Sequence, residues 1–252
     1  MSQLITLMVS PVCFVFFAEL PLNREIKLPK TFNQFQVVGG NFYFVPKIGN
    51  RIFELDSNLV VVNEYFLTGL PFLNINSFAV TPYSFFISDG DSIYHYHRRF
   101  GRIETFYRSK GILDFMANEE GDLTVIDQYG SRLVYLDHSG REKVHSTRYR
   151  ARAICYYGRN FWLVEKKRIL KLDEFGNEVT SFKIKGATRI AVRKDLCLAL
   201  IDSGNKAALF VNEKLFEFSL QTPAIDVSVN SNKIYCLGAN GNVLLEYFID
   251  IK

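Results

Sequence analysis

The chain has 252 residues, 48% of them hydrophobic, with 30 Lys and Arg against 26 Asp and Glu and a net charge of +4. That composition fits a globular chain with an adequate core, and the small net charge gives no argument by itself for a nucleic-acid partner. The 23 Phe and 13 Tyr beside only 3 Met point to sheets packed on sheets, where flat rings fill pleated faces.

In chain order, Leu4 to Ala18 (LITLMVSPVCFVFFA) is apolar but too short, and too interrupted by Pro11, to span a bilayer. It ends at the polar Glu19. Residues 1–18 are therefore expected to be a signal peptide or apolar N-terminal segment, with a single domain over 19–252 and a periplasmic or secreted location; a cytoplasmic chain is the alternative. No transmembrane anchor is expected. Cys155, Cys197 and Cys236 each fall inside a predicted strand at wide spacing without a CxxC, which predicts buried thiols rather than a disulfide framework or a metal cluster.

From residue 34 the chain repeats. Val37, Phe78, Phe115, Ala153, Ile190 and Val227 mark the first strand of each unit, and Ile52, Ile93, Leu133, Ile169, Ala207 and Val243 mark the third. Turn formers (GGN at Gly39, EEGD at Glu119, DHSG at Asp137, DEFG at Asp173) divide each unit into four strands. A period near 38 with four strands per unit is the signature of a propeller blade. The last unit, GNVLLEYFIDIK, lacks a fourth strand, and Asn23 to Leu28 matches the fourth-strand pattern. The expected fold is all-β: a six-bladed propeller of four-stranded antiparallel blades, closed by residues 23–28 added to the last blade.

The phrases SFAVT, RIAVR and DVSVN, followed by NRIFELD, SRLVYLD or KRILKLDEFGNE, resemble degenerate NHL repeats over about residues 23–250, and are similar in rhythm to YWTD and sugar-lactonase-like propellers. The resemblance implies the fold. It leaves function open, because NHL-like propellers include RNA binders, enzymes and scaffolds.

Propeller topology sorts the charges. Loops between blades and loops joining second to third strands emerge on one face, which collects Arg132, Arg150, Lys166, Lys167, Arg168 and Lys185 and is expected to be basic. Gln36, Ser77, Asp114, Arg152, Arg189 and Asp226 immediately precede the first-strand anchors, so they are expected at the channel mouth. Asp114 with Arg152, and Arg189 with Asp226, form two neutralising pairs on one reading; on the other, Arg152 and Arg189 make a fork for a carboxylate or phosphate. No cofactor and no metal are expected. His95 and His97 share a strand face in YHYH, but no third ligand is in view.

The function expected is a noncatalytic scaffold holding a protein or an anionic glycan or lipid. One alternative is an NHL-like RNA binder using Tyr129, Arg132, Tyr149 and Arg150. The other is a lactonase-like metal-dependent hydrolase, for which the sequence shows no nucleophile elbow or acidic metal cluster.

Overall fold

A computed structural model describes residues 22–46, 48–70, 75–194, 196–211 and 214–249. Six four-stranded antiparallel sheets form the blades. Blade 1 comprises Phe32–Val38, Asn41–Pro46, Arg51–Leu55 and Val61–Phe66; blade 2, Ser77–Val80, Ser84–Ser88, Ser92–His97 and Arg102–Arg108. Blade 3 comprises Asp114–Ala117, Leu123–Asp127, Arg132–Leu136 and Glu142–Ser146; blade 4, Ala151–Tyr157, Asn160–Glu165, Arg168–Leu172 and Glu178–Lys183. Blade 5 comprises Arg189–Arg193, Leu196–Ile201, Lys206–Val211 and Lys214–Ser219, and blade 6 Ala224–Asn230, Lys233–Gly238 and Val243–Phe248. The N-terminal strand Leu22–Lys27 supplies blade 6 with its fourth strand, Lys27 facing Val243 and Arg24 facing Glu246. The ring is thus closed by backbone pairing, as the sequence predicts.

Second strands such as Ser84–Ser88, Leu123–Asp127 and Leu196–Ile201 are buried on both sides, because each lies between two neighbouring blades. The apolar core accordingly divides into clusters that straddle the seams. Trp162, Val164 and Ile169 of blade 4 pack on Ile190 and Cys197 of blade 5, and Leu198 and Leu209 of blade 5 pack on Val227 and Ile234 of blade 6. Cys155, Cys197 and Cys236 are buried free thiols within this core, while Cys13 and the predicted segment 1–18 lie outside the described residues.

The outer hairpins repeat a local device. Asp56 Oδ1 accepts hydrogen bonds from the amides of Asn58 and Val60, and Asp137 and Asp173 do the same two and four residues ahead. A buried carboxylate joins blades 1 and 2. Glu54 accepts hydrogen bonds from Asn41, Tyr43, Asn63 and Tyr65, and Arg98 of the next blade reaches it at 3.1 Å. Burial would raise the Glu54 pKa; the bonds from Tyr65, Asn63, Tyr43 and Asn41 outweigh it and hold the group at about 2.

Three first strands carry a bulge, between Phe32 and Gln34, Ala151 and Ala153, and Ala224 and Asp226. The loop of the preceding blade packs on each. A Cβ on Gly130 would lie 2.3 Å from Ala151 O, and one on Gly204 only 1.9 Å from Ala224 O, with both glycines at positive φ. This close approach of two backbones accompanies the extra residue in the strand.

Candidate channel site and basic face

The bulges set which side chains reach the axis. Ser88, Ile126, Val164, Leu200 and Leu237 face the third-strand residues Ile93, Leu133, Ile169, Ala207 and Leu244. Opposite them on the first strands stand Ser77, Asp114, Ala153, Arg189 and Asp226, and Gln34 occupies the matching place in blade 1. One turn of the pleat further in come Gln36, Met116, Cys155, Ala191 and Ser228. These five, with Gln34, Ser77, Asp114, Arg189 and Asp226 but not Ala153, line a cavity of about 350 Å³.

Of the six residues predicted at the mouth, Gln36, Ser77, Asp114, Arg189 and Asp226 line this cavity, and Gln36 lies two residues deeper than the ring. Arg152 does not. It is the unpaired residue of the Ala151/Ala153 bulge, exposed outside the lining, and Ala153 occupies the matching rung opposite Val164. Both the Asp114–Arg152 pair and the Arg152–Arg189 fork are therefore corrected. A sequence signal for the missed register exists: loops of the blades before two of the bulged ones, DQYGS and DSGNK, each carry the glycine that packs on the bulge, Gly130 and Gly204.

The polar ring stitches blades together. Gln36 donates from its amide nitrogen to Phe78 O at 2.8 Å and accepts from Val80 N at 3.0 Å, mimicking a strand across the first seam. Ser77 Oγ donates to Asp114 Oδ1 at 2.8 Å, and Asp114 Oδ2 accepts from Ile154 N at 3.1 Å. Asp226 Oδ2 accepts from Phe35 N at 2.8 Å, joining blade 6 to blade 1. At the fourth seam the Cys155 sulfur faces the Val192 amide, and burial drives its thiol up to about 11.

One guanidinium serves two carboxylates. Arg189 Nε stands 3.9 Å from Asp226 Oδ1, with the side chain 38% exposed, and its charge also acts on Asp114. Burial outweighs that attraction at both acids: Asp114 is raised above the usual carboxylate range, and Asp226 is raised to about 6. Arg193, four residues along the same strand, lines the cavity, and its buried Nε finds no hydrogen-bond partner among the described residues.

On the face of the 2–3 and interblade loops, Lys110, Arg148, Arg150, Lys166, Lys167 and Lys185 are exposed and enter no ion pair among the described residues. They form an arc over blades 3 to 5. Two predicted members are neutralised instead: Arg132 pairs with Glu142 and Asp127, and Arg168 with Glu165 and Glu178. Tyr129 lies in the arc, 77% exposed, at φ 58° and bound through its amide to Gly111 O. Tyr149 is buried, and its hydroxyl donates to Gly176 O, so of the four side chains predicted to contact RNA only Tyr129 and Arg150 are exposed without an ion-pair or core commitment, Arg150 donating to Ser131 O at 3.2 Å.

The ring has solved counterparts. A streptogramin B lyase structure matches with a TM-score of 0.64 at 16% identity, over 91% of this chain and 87% of that one. Virginiamycin B lyase from Staphylococcus aureus matches at 0.61 and 18% identity, over 93% and 90%. A chain of a mitotic checkpoint complex matches at 0.69 and 10% identity, over 99% and 98%. At these identities the likeness establishes a propeller fold and nothing finer. No family model matches the sequence, and no curated protein matches it.

No histidine among the described residues lines the cavity. Among the described residues, the histidines that meet acidic groups lie elsewhere. His95 and His97, on the third strand of blade 2, meet Glu104 on the fourth, a third group that the sequence pattern does not reveal. No described helix is long and apolar enough to cross a membrane.

Proposed function

We propose that this propeller is a noncatalytic binding module that takes a protein partner with an acidic surface on its blade 3–5 arc, beside the channel mouth. The observation that carries the reading is the contrast between two sets of charges. The channel carboxylates are committed to the fold, each accepting a neighbouring blade's backbone amide, whereas Lys110, Arg148, Arg150, Lys166, Lys167 and Lys185 are exposed without ion-pair partners among the described residues. Unpaired exposed cations act through long-range attraction, and an aromatic ring among them adds contact area. Tyr129 supplies that ring.

The lyase-like reading is weaker. An acid–base mechanism needs a carboxylate oxygen turned to a substrate; at Asp114 both oxygens already accept hydrogen bonds, and at Asp226 one accepts the Phe35 amide while the other faces Arg189. The RNA reading loses Tyr149 to the core and Arg132 to two carboxylates. The apolar run Leu4 to Ala18 supports a periplasmic or secreted location, and the repeat phrases support kinship with NHL-type blades.

The test compares wild type with the triple variant Lys166→Glu, Lys167→Glu, Lys185→Glu, using polyglutamate, a heparin fragment, single-stranded RNA and phosphatidylserine vesicles as probes. Salt-sensitive binding of polyglutamate that the triple variant loses supports the proposal. RNA as the preferred probe, or equal polyglutamate binding by both proteins, overturns it.

A further inference from the structure

His95, His97 and Glu104 bring one imidazole nitrogen each and a carboxylate oxygen within 4.8 Å of one another, on adjacent strands of blade 2 and remote from the channel. The strand ladder accounts for the meeting. His95 lies directly opposite Glu104, and His97 points to the same sheet face two residues on. His97 Nε2 is 3.3 Å from Glu104 Oε1, and His95 Nδ1 is 3.8 Å from that oxygen.

These separations match a known geometry. Zinc bound tetrahedrally with bonds of about 2.0–2.1 Å sets its ligand atoms about 3.3 Å apart. One edge of the cluster has that length already, and the second needs about half an ångström of closure. His95 is also fixed from behind. Its Nε2 hydrogen-bonds with Ser84 Oγ at 2.8 Å, and its ring stacks on Phe86 at 4.5 Å between centroids. A donated Nε2–H to Ser84 leaves the Nδ1 lone pair facing Glu104, the arrangement by which a second partner orients a metal-binding histidine. The two imidazole rings lie only 3.9 Å apart, and the half-buried His97 and exposed Glu104 leave the site open to solvent on one side.

We propose that His95 Nδ1, His97 Nε2 and Glu104 Oε1 form a three-ligand site for a divalent transition metal of the zinc class, with water completing the tetrahedron. Two neutral imidazoles and one carboxylate favour zinc or cobalt over magnesium or calcium, which take oxygen-rich shells. Arg102, whose guanidinium lies 3.5 Å from Glu104 Oε2, offsets the carboxylate charge without occupying Oε1.

The experiment is a titration of untagged, metal-stripped protein with zinc against a chelating indicator, alongside cobalt absorption spectra. The proposal predicts one equivalent of zinc, a tetrahedral cobalt band and no comparable binding of magnesium. His97→Ala and Glu104→Gln, both at solvent-accessible side chains, should abolish the cobalt band while leaving the circular dichroism spectrum unchanged. Ser84→Ala should weaken zinc binding about 10- to 100-fold, since it removes only the partner that orients His95. Failure of wild type to bind a stoichiometric equivalent, or equal binding by the His97 and Glu104 variants, overturns the site.

Discussion

Asp226 gives the most quantitative test of the channel. Its carboxylate is nearly buried, accepts the Phe35 amide and stands 3.9 Å from Arg189, yet its pKa rises to about 6 from an ordinary 3.8, because burial outweighs the guanidinium. A carboxyl whose folded pKa lies above its unfolded value binds the proton more tightly when folded. The stability it contributes is present below about pH 4 and is lost as pH rises through 6. The full difference corresponds to about 3 kcal/mol, of which about 2 kcal/mol falls between pH 4.5 and 7.5. Asp226→Asn keeps an oxygen for the Phe35 amide and removes the titration. Urea unfolding at several pH values should therefore show wild type losing about 2 kcal/mol relative to the Asn variant across that window. Arg189→Met should steepen the wild-type trend, since it removes the attraction that opposes burial. Curves for wild type and Asp226→Asn that stay parallel to within about 0.5 kcal/mol from pH 4.5 to 7.5 would refute this account of the channel charges.

Other perturbations test the seams and the closure. Gly204→Ala should destabilise by about 3 kcal/mol or more, because its Cβ would meet Ala224 O at 1.9 Å. Gly176→Ala, at a similar positive φ but with nothing within 4 Å, should lose only about 1–2 kcal/mol by the same urea assay. Glu54→Gln should lose about 3 kcal/mol at pH 7, since a carboxylate held at about 2 contributes stability that disappears only as pH falls through that value; the difference from wild type should shrink toward pH 2. Removing residues up to Lys27 should expose the edge of Val243–Phe248, giving oligomers in light scattering and a melting temperature lowered by several degrees or more.

Blade number and closure were legible because they depend on patterns summed over many residues: six anchors in each of two strands, and an unmatched final unit that Asn23 to Leu28 completes. The channel ring was only partly legible. A ladder read from spacing assumes one residue per rung, and the bulge at Arg152 breaks that assumption in blade 4, turning the guanidinium away and bringing in Ala153. In blade 1 the anchor Val37 lies one pleat repeat past the rung used in the other blades, on a stretch of regular ladder, so the ring position is Gln34 and not Gln36. The basic face is thinner at Arg132 and Arg168 for another reason: their guanidinium groups reach along the hairpin to Glu142 and Glu178, which the register places across from Leu136 and Leu172 at the far end of the third strand. Glu104 was hidden because its approach to His95 depends on the length of the turn around Arg99 and Gly101, which fixes the pairing across the hairpin.

Closure also ties the protein's formation to the completion of its own synthesis. Asn23 and its partner Glu246 are separated by 223 positions, so the first strand made must wait for almost the last. At ~5–20 residues per second a ribosome takes on the order of 10 to 45 s to cover that distance. Throughout that interval the nascent chain has an incomplete circle and an unshielded leading segment, which makes the interval before release the time when a chaperone, or a second nascent chain, has most to gain by binding.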